Sequence, residues 1–326
     1  MNRRDLVKLV GAAIAWPLTA QAQQPSPVIG FLSGYADDAF SSHLMVAFQR
    51  GLAETGFIGG TNVALEIRRA DAHYDRLTAM AADLVRLKVN VIATAGTSAS
   101  VAAKAATATI PIVFSLGVDP VEAGLVASLA KPGGNITGTA RLNTELGSKR
   151  LELVREVVPT ATRIALLVNP TNPSMAKPIT AATEAAARTL GVQLIVLTAS
   201  TEHEIDAAFA TLAQQQAGAL VISPDVFFNS QSGQFAALTL RYKIPTIHSY
   251  RGFAVDGGLL AYGGDITDSY RISGTYVGRI LKGEKPADLP VQQSSKVELY
   301  INLKTAKALG LSLTPALLLR ATEVIE

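Results

Sequence analysis

The chain has 326 residues, enough for about two domains, and 48% of them are apolar against 17% charged, a balance that excludes a disordered chain. A net charge of +3 is too small to mark a nucleic-acid surface. The absence of cysteine excludes disulfides, thiol catalysis and thiolate metal sites.

The first segment predicts export. Asn2 to Lys8 carries the pair Arg3-Arg4, an apolar run follows from Leu9 to Leu18, and Ala20-Gln21-Ala22 is a small-x-small exit. This is the pattern of a secretory signal of the twin-arginine type, cleaved near Ala22 and leading to the periplasm. The apolar run falls short of the roughly 20 residues a spanning helix needs. Removing residues 1–22 takes away three basic residues and one acidic residue, lowering the net charge from +3 to +1, and also removes Trp16, the single tryptophan.

Strands and helices then alternate. Val28 to Leu32 predicts a strand ending at Ser33-Gly34-Tyr35. A helix over about 41–55 has Leu44, Phe48 and Leu52 on one face, and Gly56 stops it. Val63 to Ile67 alternates as a strand, and Leu77, Ala81, Leu84 and Val85 mark the next helix. Val91 to Ala95 reads as a strand covered on both faces. It turns at Gly96-Thr97-Ser98 into an Ala-rich helix. Ile110 to Phe114 is a fourth strand. Asp119-Pro120, with Glu122 three residues after the aspartate, predicts a capped helix over 120–130. Lys131-Pro132-Gly133-Gly134 breaks the chain before a fifth strand, Asn135 to Ala140.

The pattern restarts with a helix over 144–157. Strands are predicted at Arg163–Val168, Val192–Leu197, Ala219–Ile222, Ile244–His248 and Gly257–Tyr262. Helices are predicted from Pro173 to Leu190, over 202–215 behind a Thr201/Glu204 capping box, and from Ser232 to Tyr242. Beyond Asp265 come a helix over 267–282, Leu289-Pro290-Val291, a strand from Val297 to Ile301, and a short helix capped by Asn302. Two such sets predict an α/β protein of two doubly wound parallel sheets, each in flavodoxin-like order. The tail crosses between them to make a multi-crossing hinge. The first lobe is expected over 26–142 with part of 267–292, and the second over 143–266 with part of 293–326.

Ligands of such sheets sit beyond the carboxyl ends of the strands. Those ends supply Ser33, Gly34 and Tyr35, then Gly96, Thr97 and Ser98, then Asp119, Asn169, Asp225, Tyr250 and Tyr262. Gly96 permits a close approach. Thr97 and Ser98 stand where helix N–H groups lack partners, so they either cap their own helix or receive an anion. Asp119 and Asp225 are acceptors suited to an ammonium, although the Asp-Pro-x-Glu context also explains Asp119 as a cap. His43, His73, His203 and His248 lie far apart in sequence, and neither a nucleophile elbow, a phosphate loop nor a dinucleotide fingerprint is present. No metal and no cofactor is expected, and the pattern favours a binder over an enzyme.

Several segments resemble the substrate-binding proteins of ABC transporters, in the branch associated with tryptophan and tyrosine uptake. They are Pro27-Val28-Ile29-Gly30-Phe31-Leu32-Ser33, Asp119 to Val126, Gly133-Gly134-Asn135-Ile136-Thr137-Gly138, Gly257 to Gly263, and Ile301 to Gly310. The resemblance runs over essentially the whole length. It implies a type I periplasmic binding protein fold, no catalysis, and a small solute handed to membrane permease subunits. It also implies an amino-acid-like ligand whose carboxylate meets Thr97 and Ser98 and whose amine meets Asp225. Where members that bind aromatic amino acids often carry Asn after the aspartate, this chain has Val226-Phe227-Phe228, which leaves an aromatic acid without an amine as an alternative. A monomer without nucleic-acid partners is expected. The rival readings are a periplasmic sensor partner of a membrane receptor and a periplasmic α/β enzyme using Asp225 or His248.

Overall fold

A computed structural model describes residues 26–326 apart from 142, 144 and 295. The expected signal segment lies outside the described residues. In the first lobe the order is β1 (Val28–Ser33), α1 (Ala39–Ala53), β2 (Ala64–Arg69), α2 (Leu77–Arg86), β3 (Val91–Ala95), α3 (Thr97–Ala106), β4 (Ile112–Leu116) and β5 (Ile136–Ala140). The second lobe continues with α4 (Leu146–Val157), β6 (Arg163–Val168), α5 (Pro173–Leu190), β7 (Gln193–Thr198), α6 (Glu202–Gln214), β8 (Ala219–Ile222), α7 (Val226–Ser230), α8 (Ser232–Tyr242), β9 (Thr246–His248), α9 (Arg251–Val255) and β10 (Leu260–Gly264). The tail is α10 (Ile266–Leu281), β11 (Gln292–Gln293), β12 (Val297–Asn302), α11 (Leu303–Ala308), α12 (Pro315–Leu319) and β13 (Glu323–Ile325).

The first sheet has the order β11-β5-β4-β3-β1-β2 and is parallel throughout. The second runs β13-β12-β10-β9-β8-β6-β7, with β12 antiparallel to β10. The first five strands of each lobe therefore share one flavodoxin-like order, as the alternation of elements required. Successive strand residues feed opposite faces. Ile29 and Phe31 pack with Phe48 of α1 and Val277 of α10. Leu32 and Ile92 pack with Leu84 of α2 and Ala103 of α3. Ile164 and Leu166 meet α4 and α5, whereas Ala165 and Leu167 meet α6 and Phe235 of α8.

The chain passes between the sheets three times: from β5 to α4, from β10 to α10, and from β11 to β12. Glycine makes the second passage possible. An added Cβ would lie 1.7 Å from the Arg271 carbonyl oxygen at Gly51 and 2.0 Å from the Phe48 carbonyl oxygen at Gly274. Only bare backbone lets α10 lie this close to α1.

Three local expectations are corrected. Residues 120–130 form turns, not a helix. Asp119 accepts from the Val121 and Glu122 amides at 2.6 and 3.2 Å, but Gly124 at φ +66° turns the chain out of any helical path. The short helices α7 and α9 lie where the sequence predicts no element, because five residues carry too little periodicity to register. Thr201 caps α6 by accepting from the Glu204 amide, yet the Glu204 carboxylate turns to the amide and hydroxyl of Ser200 rather than completing the reciprocal box.

Candidate functional site

Between the lobes lies a cleft of about 560 Å³, within the usual range for small-molecule sites. One wall comes from the carboxyl ends of β1 and β3 and the start of α1, the other from α7, α8 and α9, and the floor from the first two crossings. Phe40, Met175, Val226, Val255 and Ile266 supply apolar surface. The rings of Phe40 and Tyr250 meet edge to face across the lobes at 4.4 Å. Burial pushes the Tyr250 hydroxyl up to about 12, so it is neutral at physiological pH.

The floor holds a cation. Arg141 follows β5 directly, and its amide still pairs with the Leu116 carbonyl at 3.0 Å, so the first crossing leaves the sheet on the edge of β4. Arg141 is 6% exposed, its side chain lies against Gly264 at the end of β10, and among the described residues it gives one hydrogen bond, from Nη1 to Ser115 Oγ at 3.1 Å. Among the described residues, Arg141 makes no ion pair. The Ser115 carbonyl in turn accepts from the Gly96 amide at 2.9 Å. The guanidinium is thereby tethered beside the start of α3. Among the described residues no side chain caps α3, and Gly96 at its cap position has φ +98°. A buried cation and a run of unfilled helix N–H groups share one corner, and both favour an anion.

Asp225 does something else. It is fully buried at the start of α7 and receives five contacts from four donors. Asn169 Nδ2 and the Phe227 amide donate to Oδ1 at 2.9 and 3.0 Å, and Asn172 Nδ2 donates to Oδ2 at 2.8 Å. Tyr74, from the first lobe, donates to both oxygens at 3.2 and 3.1 Å. Burial raises the Asp225 carboxyl above its ordinary value, while the donors pull it back down. Tyr74 is held well above its own ordinary value by burial and then by the charge of Asp225, so it is a neutral donor.

Of the residues expected at the site, the cleft brings together Tyr35, Gly96, Thr97, Asp225 and Tyr250. The others are used within the fold. Ser33 Oγ accepts from the Tyr35 amide, Gly34 lies under the Tyr74 ring, and Ser98 donates to Asn172 Oδ1 at 3.2 Å. Asn169 holds Asp225. Asp119 caps its turn outside the cleft. Tyr262 packs on the second-lobe core, and its carbonyl accepts from Arg150 Nε at 2.8 Å. Arg150 also donates to the Asn143 carbonyl, which ties the first crossing to β10; burial lowers its guanidinium to about 9, still charged at neutral pH. His248 is buried between Phe235 and Phe253, and its Nδ1 accepts from the Tyr250 amide at 2.9 Å. Among the described residues, no three acidic or histidine side chains are placed to hold a metal. The sequence reading missed Arg141, Asn143, Asn172 and Asn229 as lining residues. The one signal was a lone arginine directly after a buried five-residue strand at the predicted lobe boundary.

The sequence from residue 27 to 325 matches the family model for the ABC transporter substrate binding protein. The chain belongs to this family. A tyrosine-binding protein of Clostridioides difficile strain R20291 is 29% identical over 264 residues, which cover 81% of this chain and 75% of that protein. The solved ABC domain from Streptococcus pneumonia in complex with L-Trp is 25% identical, with a TM-score of 0.82 over 92% of this chain and all (100%) of that one. A conserved domain protein of Vibrio cholerae O1 biovar El Tor strain N16961 is 25% identical, with a TM-score of 0.84 over 92% and 99% of the two chains. The two lobes and their sheets are those of a type I periplasmic binding protein, as the sequence resemblance implied.

Proposed function

We propose that this family member is the periplasmic receptor of an ABC importer, exported through its N-terminal signal, and that it captures a small carboxylate with an aromatic or other apolar body for delivery to a permease. The observation that carries this reading is Arg141, a buried cation at the cleft floor with no carboxylate partner among the described residues. The ligand carboxylate lies between its guanidinium and the α3 N–H groups beside Thr97. The body of the ligand lies against Phe40, Tyr250, Met175 and Val226. The tyrosine- and L-Trp-binding relatives support an aromatic solute. No catalysis is assigned: His248 is buried with its Nδ1 occupied, and His43, which lines the cleft from α1, has its Nε2 3.3 Å from Thr267 Oγ1.

Calorimetry on the chain without its signal tests this with L-tryptophan, L-tyrosine, indole-3-propionate and L-tryptophanamide. The acids should bind and the amide should not, since it lacks the charge that Arg141 awaits. Because the single tryptophan lies in the signal, ligand fluorescence reports L-tryptophan binding directly. Equal binding of the amide and the acid, or no binding of any acid, overturns the carboxylate assignment.

A further inference from the structure

The resemblance casts Asp225 as the partner of a ligand amine, but its contacts point elsewhere. Its two oxygens are already met by Asn169, Asn172, the Phe227 amide and Tyr74. Tyr74 belongs to the first lobe and the other three to the second. A parallel link runs beside it, from Ser98 Oγ on α3 to Asn172 Oδ1, and Asn172 passes the connection to Asp225 through its own Nδ2. Two donors from one lobe thus converge on a single Asn172–Asp225 pair in the other.

The surrounding backbone is built for this contact. Asp71 and Ala72 hold φ of +52° and +61°, a left-handed pair that non-glycine residues adopt at a cost. The excursion carries Ala72 onto the second-lobe cluster around Phe227 and Phe228, and it sets up the turn that presents Tyr74. In the reverse direction Asp225 caps α7 through the Phe227 amide, and the first residue of that helix, Val226, enters the first-lobe core. A Cβ at Gly96 would sit 3.1 Å from Val226. Val226 is the position where the resemblance led to a polar residue, and here it is an apolar plug between lobes.

We propose that Asp225 is an interlobe clasp: with Tyr74, Asn172 and Ser98 it holds the closed arrangement of the two lobes, and it does not serve as counter-charge for a ligand amine. Opening breaks the Tyr74 and Ser98 hydrogen bonds and withdraws Val226, so the clasp sets the balance between open and closed forms. A change in that balance rescales the affinity of every ligand by one common factor.

The inference rests in part on the carboxylate-receptor reading, so its test has a ligand-free arm. The natural chain has no cysteine, so Val46→Cys and Leu319→Cys, exposed on the first and second lobe, accept a pair of spin labels cleanly. Pulsed dipolar distances on the ligand-free labelled protein should shift from one dominant population toward a second when Tyr74→Phe is added. In the unlabelled protein, Tyr74→Phe should weaken L-tryptophan and its des-amino analogue indole-3-propionate by the same factor, equal to the fall in closed fraction read from the distances and up to about tenfold for one hydrogen bond to a charged group. Asp225→Asn should likewise leave the ratio of the two affinities unchanged. Loss of L-tryptophan binding alone in Asp225→Asn assigns the residue to the amine and overturns the clasp, as does a Tyr74→Phe protein with unaltered distances. Should neither probe bind the wild type, the receptor reading fails, and the ligand-free distances still decide the clasp.

Discussion

Replacing Arg141 by Met separates binding from stability. The aliphatic stem that lies against Gly264 is kept, and the charge goes. A hydrogen bond to a charged group contributes about 1.5–3 kcal/mol, so loss of the guanidinium weakens a carboxylate ligand by a factor of about 10–150. Arg141→Lys keeps the charge but loses the planar fork, and it should fall between wild type and Arg141→Met. Folding responds differently. Among the described residues the native guanidinium gives a single protein hydrogen bond, to Ser115, worth about 1.5–3 kcal/mol because the donor is charged. Relief of a buried charge without a counter-ion offsets that loss. The ligand-free unfolding midpoint of Arg141→Met should therefore stay at or above that of the wild type, while the upward shift caused by an acid ligand disappears. Thermal unfolding with and without indole-3-propionate, with calorimetry in parallel, measures both quantities. Affinity within threefold of wild type, or a ligand-free midpoint lowered by many degrees, refutes the reasoning.

Two further perturbations test the scaffold. Burial, then the nearby Arg150 charge, lowers the His248 imidazole to about 3 from 6.5 in the unfolded chain. The folded state thus takes up its proton only at lower pH, and this contribution to stability is complete above about pH 6.5 and lost as pH falls toward 3, roughly 4 kcal/mol over the window. His248→Asn, which keeps an acceptor for the Tyr250 amide, should remove that share of the acid sensitivity; urea titrations from pH 7 to 4 that decline equally in both proteins contradict it. Glycine-to-alanine changes should have opposite signs at two helical positions. Gly274→Ala drives a methyl against the Phe48 carbonyl and should destabilise by about 1–3 kcal/mol or more, whereas Gly233→Ala, exposed and with no atom within 4 Å, should stabilise by about 0.5–1 kcal/mol in the same denaturant assay.

The sequence by itself determined the alternation of strands and helices, the two matching sheets and the strand ends that form the cleft. Each of these is written in short-range signals: apolar runs such as Val91 to Ala95, breakers such as Gly56, and caps such as Asn302. Even there, local signals overreached at Asp119, whose capping contacts exist without the helix they usually begin. The tertiary structure alone decided which polar groups the cleft presents. Asp225 looked available in the sequence, but Asn169, Asn172 and Tyr74, up to 151 residues away, occupy its oxygens. Arg141 drew no reading from the sequence, and only packing buries it where, among the described residues, no carboxylate answers its charge. Whether a charge is satisfied depends on neighbours far along the chain, and short-range sequence patterns carry no record of them.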